Sequence, residues 1–355
     1  MDPRAGRLVG AVVGTAAAVA AVGTATAHVD YVTEGGGHRD PLAFFIDVVT
    51  DPFNAALLAG GGVSVLLAAL LYLRVRPLSY DVAVFRRVMG DYDDLLPWLL
   101  RLSFGLPMVG AGFAGYFFSP EVAPVLPLFS VSSRLFQIGV GFALLFGIAT
   151  RLVAFLALGA YLTSVLFTPV LVLSNEYVTG LLTIMLLGSG RPSADHVLQR
   201  IASAPRTTYG RIDPVQDLAE WFNEQVDPYE QYAPTVVRVG LGLNFIFLGF
   251  YEKLLRPGVA LQVVEKYDLT AVVPVDPGLW VVGAGLTEAA LGTALVVGAF
   301  TRASSLVALF MFTLTLFGLP DDPVLAHVTL FGLASMLLVT GSGPYALDRR
   351  IREWS

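Results

Sequence analysis

"QIGVGFALLFGIATR" (Gln137–Arg151) and "EAALGTALVVGAFTR" (Glu288–Arg302) align without a gap, matching Gly141 with Gly292 and Thr150-Arg151 with Thr301-Arg302. Upstream, "PWLLRLSFGL" from Pro97 and "PTVVRVGLGL" from Pro234 agree at Pro97/Pro234, Arg101/Arg238 and Gly105/Gly242, an offset of 238 − 101 = 137. Downstream, "GSGRPSADHVLQR" from Gly188 answers "GSGPYALDRRIRE" from Gly341. Landmarks repeated in the same order indicate an internal duplication. Each copy contains four apolar runs, so the repeat predicts two tandem four-helix transmembrane bundles running in the same direction.

Composition supports the membrane reading. Of 355 residues, 55% are hydrophobic and 14% charged, with mean hydropathy +0.70, whereas soluble domains carry about 25% charged residues. A helix of about 20 apolar residues crosses a bilayer core of roughly 30 Å. About ten such spans are expected, near 8–27, 54–73, 97–118, 133–149, 152–173, 176–189, 235–254, 279–299, 303–319 and 323–340. The runs lack the period-two alternation of an outer-membrane barrel, so the fold class is all-α, a polytopic membrane protein.

The expected domains are an N-terminal transmembrane hairpin with an external loop (1–78), a first four-helix unit (79–200), a linker with an amphipathic helix (201–233) and a second four-helix unit (234–355). Arginines cluster on alternate sides of the spans, which predicts a cell-membrane protein with both termini cytoplasmic. The run over 1–27 also reads as a signal peptide ending at Ala25-Thr26-Ala27, and its cleavage would leave the N-terminus external. The loop beyond it carries His28, His38, Asp30, Glu34 and Asp40, chemically able to hold a hard or borderline metal. Most such loops are simply solvated, and no metal site is assigned. The net charge of −6 offers no basic face for nucleic acid. With no cysteine, the chain excludes iron–sulfur clusters, thiolate metal sites and dithiol chemistry of its own, so no intrinsic cofactor is expected.

Polar residues inside the spans are then the informative ones. Glu288 sits near the middle of its span, where an unpaired acidic side chain costs at least about 2.5–3.5 kcal/mol on insertion scales. It must face the bundle interior, either protonated or held by a cation. Asn244 is expected at nearly the same depth and is a candidate hydrogen-bond partner. Lys253 could reach inward from the external end of its helix, and His327 lies one turn after Pro323. Against any role in chemistry stands the plainer reading, that Glu288 and a basic residue tie helices together and that His327 is a packing histidine. For Arg151 and Arg302 the topology-anchor reading is favoured. In the first copy Gly115, Tyr116, Gln137 and Ser174 stand at or near the places of Glu252, Lys253, Glu288 and His327, so the polar set belongs to the second unit.

The second unit resembles the DoxX/DoxD family of membrane proteins. The resemblance is carried by Arg238, "GFYEKLLRPG" at Gly249, Glu288 followed by "GAFTR", His327 and the ending "GSGPYALDR", from about Pro234 to Asp348. It implies a four-helix bundle and a link to quinone-dependent sulfur oxidation of the thiosulfate:quinone oxidoreductase kind. On that reading the chain is a membrane subunit of a quinone-linked redox system, an oxidoreductase subunit bound to membrane lipid and supplied with electrons by a redox partner protein. Glu288, His327 and Lys253 are then the candidate catalytic residues, with Asn244 and Glu252 binding the quinone. The alternative is a non-catalytic membrane scaffold or small-solute carrier.

Overall fold

The computed structural model describes residues 39–353, apart from 125, 205, 210–215 and 322. The expected first span, its reading as a signal peptide, and His28 and His38 lie outside the described residues. Everything described is helical or connecting chain. Helices α1 (Pro41–Thr50), α2 (Pro52–Val75) and α3 (Ser79–Gly90) precede the first group of four: α4 (Leu96–Ala114), α5 (Pro127–Phe146), α6 (Thr150–Phe167) and α7 (Glu176–Leu187). Helices α8 (Ala194–Ala202) and α9 (Gln216–Val226) lead to α10 (Ala233–Phe247), which continues as a π-helix over Leu248–Leu254. Two shorter helices follow, α11 (Pro257–Lys266) and α12 (Leu269–Val272), before α13 (Pro277–Val297), α14 (Thr301–Gly318), α15 (Val324–Thr340) and α16 (Leu347–Glu353). Seven of the described helices are long and apolar enough to cross a membrane, and α1, α7 and α15 are shorter apolar helices. The chain is an all-α polytopic membrane protein.

Contacts made by the matched sequence landmarks recur in both groups of four. Glycines at the crossing of the first two helices let the backbones meet. A Cβ on Gly105 would lie 2.9 Å from the Gly141 carbonyl oxygen, and one on Gly242 would lie 2.7 Å from that of Gly292. Helices α5 and α13 both end on a left-handed glycine, Gly147 and Gly298, with φ of 67° and 72°. The next helix then starts from another left-handed residue, Ala149 or Phe300, and a distant carboxylate holds each turn. Asp195 accepts from Ala149 N and Thr150 N at 2.6 and 2.9 Å, and Asp348 accepts from Phe300 N and Thr301 N at 2.7 and 2.8 Å.

The arginines do more than mark one face. A helix C-terminus leaves carbonyls without intrahelical donors and carries partial negative charge. Arg238, only 2% exposed, donates to Leu295 O at 2.9 Å, to Ser342 O at 3.1 Å and to Val296 O. Arg101, fully buried, donates likewise to Leu144 O at 3.4 Å and to Pro192 O. Arg302 donates to Leu338 O and Val339 O at 2.9 and 2.6 Å, and Arg151 to Leu186 O at 3.2 Å. Two arginines per group thus cap the second and fourth helices, a more specific task than the anchor expected from sequence.

The groups pack reciprocally, the first helix of each against the fourth of the other. A methyl on Gly332 of α15 would overlap the Ser103 hydroxyl of α4, and one on Gly240 of α10 would overlap that of Thr179 of α7. Both seams insert a hydroxyl into a glycine notch. A single hydrophobic core runs through both groups, joining Leu100, Phe104 and Leu181 to Leu241, Leu333 and Leu337.

Several boundaries differ from expectation. The segment expected as part of an external loop contains α1, started by the Asp40-Pro41 pair: Asp40 accepts from Leu42 N at 2.9 Å, and Pro41 needs no donor at the first helical position. Val48 of α1 packs on Leu279 and Val282. Helix α5 begins at Pro127, ahead of the span expected from 133, and Arg134 within it donates to Gly112 O at 3.0 Å. The span expected over 152–173 divides into α6 and a 3₁₀ segment, Pro169–Ser174, because Pro169 cannot continue the helix.

Candidate functional site

Helices α10 and α13 set the register of the site. Gly242 abuts Gly292, and Gly249 abuts Gly285, where a Cβ on Gly285 would lie 2.8 Å from Gly249 O. Antiparallel packing through these two pairs brings Glu288 level with Ile246, two residues from Asn244. At 1.5 Å per residue the two polar groups differ by about 3 Å in depth.

Glu288 is paired with a cation. Its Oε2 lies 2.8 Å from Lys253 Nζ, with the side chains 14% and 21% exposed. Of the two arrangements open from sequence, the structure has the one in which a basic side chain holds Glu288. Lys253 and its neighbour Glu252 sit on the π-helix. Its wider turn delays the helical phase, and both consecutive residues line the same space. Glu252 is buried and also attracts Lys253 electrostatically.

The sequence expectation that Asn244 bonds Glu288 is corrected. The Asn244 amide instead faces the other group of helices, with Nδ2 3.5 Å from both Asn175 Oδ1 and Glu176 Oε2. Its Oδ1 is buried and has no hydrogen-bond partner. The reason is rotation about the helix axis: residues at one depth need not share a face.

Asn244, Glu252, Lys253, Glu288 and His327 all line one cavity of about 580 Å³. Its walls are otherwise mainly apolar, including Phe245, Trp280, Phe312 and Leu330. His327 is half-buried at the first turn of α15, with Nδ1 3.4 Å from Pro323 O. Helices α11 and α12 cover one end, where the sequence reading had an external loop. A surface latch holds this cover, Lys266 Nζ and Tyr267 OH reaching Asp321 Oδ2 at 2.8 and 3.1 Å. Hydrogen bonding to Lys266 holds the Asp321 carboxyl below its ordinary range.

The residue missed in sequence is Glu176. It is 6% exposed, begins α7 in the first group and lines the cavity. A signal was present, since Glu176 is the single acidic residue between Glu121 and Asp195. It fell at the junction of two apolar runs and was read as a span boundary.

In the first group the matching space is closed. Gln137, at the place of Glu288, accepts from Phe118 N and donates to Tyr116 O, both at 2.7 Å. Phe118 packs edge-on against Tyr161 and Tyr177 at 5.2 and 5.1 Å between ring centroids. Those two tyrosines occupy the places of the cavity-lining Phe312 and Leu330.

Residues 233–327 match the family model described as DoxX. The match ends at His327, inside α15. No curated protein and no solved structure matches the chain. The second group of helices is thus a DoxX-like membrane domain that holds the cavity.

Proposed function

We propose that this membrane protein with a DoxX-like second unit is the membrane subunit of a quinone-linked redox system, related in type to thiosulfate:quinone oxidoreductase. The observation that carries the reading is the cavity of about 580 Å³, with apolar walls, the Lys253–Glu288 pair and a buried Asn244 oxygen without a partner. Ligand sites commonly have such a volume and a few converging polar groups. The recurring contacts support reading residues 79–200 and 234–355 as tandem copies, with the ligand site built mainly on the second.

A quinone would supply two-electron, two-proton redox chemistry, with electrons delivered by a partner protein. The chain's own residues have other tasks. Lys253 donates a hydrogen bond to a ring oxygen, and Glu288 keeps the ammonium charged and aimed. His327 holds or passes a proton at the wall near the start of α15. Glu252 increases the negative field beside Lys253, and the aromatic walls exclude water.

The purified protein is expected to carry quinone in its lipid extract, detectable by chromatography, and the Glu288→Gln variant to stay folded while carrying at most about a tenth as much. A folded wild-type protein reproducibly free of quinone would leave the scaffold or carrier reading in its place. The proposed orientation puts both termini in the cytoplasm, or the N-terminus outside if the first span is removed. Because the chain lacks cysteine, Ser203→Cys, at an exposed position, is expected to resist an impermeant thiol reagent in intact cells while Asp276→Cys labels; the opposite pattern would invert the topology.

A further inference from the structure

We propose that Asn244 and Glu176 form a second polar anchor in the cavity, so that the site takes a planar ring carrying oxygens at opposite ends and is completed by the first unit. This inference rests on the quinone reading and extends it to how the ring is recognised.

The first argument is unmet hydrogen-bonding capacity. Asn244 is 3% exposed, its Oδ1 has no partner, and its Nδ2 reaches Asn175 and Glu176 only at 3.5 Å, the outer limit of a hydrogen bond. Turning the amide over exchanges the two atoms and leaves one of them unpaired in either assignment. A buried amide normally finds its partners. A ring carbonyl accepting from the Asn244 amide turned so that Nδ2 faces the cavity, or a ring hydroxyl of the reduced form donating to Asn244 Oδ1 or to the Glu176 carboxylate, would complete the set.

The second argument comes from the near-twofold packing. The two seams between the groups are equivalent, so each position on one has a counterpart on the other. Asn244 corresponds to Pro107 and Glu176 to Thr329, both buried. The counterpart seam therefore packs without a carboxylate or an amide. The polar pair is not required to join the groups, and it occurs on the seam that borders the cavity.

The third argument is placement. The Glu288 carboxylate that holds Lys253 and the Asn244 amide lie at nearly one depth but on different faces of the α10 segment, one toward α13 and the other toward α7. Apolar Leu248, Val281 and Phe312 line the cavity with them. A ring lying against this wall meets Lys253–Glu288 at one end and Asn244–Glu176 at the other. An apolar tail has an exit between α12 and the end of α14, where the cavity-lining Val272 and Phe317 are 81% and 84% exposed.

The test uses the full chain in detergent with Trp98, Trp221 and Trp354 replaced by Phe, so that quenching of Trp280 in the cavity wall reports binding. The probes are decyl-1,4-benzoquinone, with oxygens at both ends of the ring, and 4-decylphenol, with one. The parent protein is expected to bind the quinone at least about tenfold tighter. Glu176→Leu should weaken quinone binding about tenfold and leave phenol binding within about twofold, while Glu176→Gln, which keeps hydrogen-bonding capacity, should retain quinone binding within about threefold. Should Glu176→Leu fail to fold, Asn244→Ala carries the same expectations from the other side of the anchor. A folded Glu176→Leu or Asn244→Ala variant with unchanged quinone affinity, or with equal loss for both probes, would overturn the anchor and leave the quinone reading standing. Failure of the parent protein to bind the quinone would remove both.

Discussion

Glu288→Leu is expected to destabilise the protein by on the order of 3 kcal/mol, the loss typical when one partner of a buried ion pair is removed and the other is left behind. Lys253 has most of its side chain shielded, and its contact with Glu288 is 2.8 Å. Glu252 attracts the same ammonium and keeps the loss from being larger. The double variant Lys253→Met/Glu288→Leu removes both charges and should recover at least half of that stability without restoring ligand binding. Glu288→Gln keeps an acceptor for the ammonium and should lose about 1 kcal/mol. Thermal midpoints and monodisperse yield in detergent measure these effects. A Glu288→Leu protein as stable as wild type, or a double variant no better than the single, would show that the pair does not stabilise this bundle.

Arg238→Ala is expected to have a larger effect, on the order of 4 kcal/mol, because it leaves several buried carbonyls without donors at about 1–3 kcal/mol each before relaxation. The guanidinium reaches the end of α13 at Leu295 and Val296 and the chain beyond α15 at Ser342 and Tyr345. A helix end, its negative dipole and a returning loop all depend on one planar fork. Arg238→Lys should rescue less than half of the loss, since a single ammonium cannot span that geometry. Arg101→Ala, which loses bonds to two carbonyls, should be milder. Against a total stability of about 5–15 kcal/mol, Arg238→Ala should lower yield and thermal midpoint sharply. A midpoint equal to that of wild type would refute the capping role.

Asp195 and Asp348 show how far sequence matching reached. Their helix ends were aligned by sequence, yet nothing in the spacing says that each carboxylate closes a turn 45 to 48 residues away in the chain. The same holds for Arg101 and Arg238. Their match was visible, but their task depends on carbonyls that only packing brings near. At Asp40-Pro41 the start signal for α1 was present and was outweighed by its place in a polar stretch.

The sequence alone determined the membrane class, the all-α fold, the DoxX likeness of the second group and most residues of its polar set. These follow from length, hydropathy and the cost of a charge in hydrocarbon, all of which act locally along the chain. Tertiary structure alone decided which polar residues touch. It paired Glu288 with Lys253, turned Asn244 toward Glu176 of the other group, and filled the equivalent space of the first group with Phe118, Tyr161 and Tyr177. Those outcomes depend on rotation of each helix about its axis and on glycine-mediated crossings, where a turn of one residue, about 100°, moves a side chain from one neighbour to another without changing its depth.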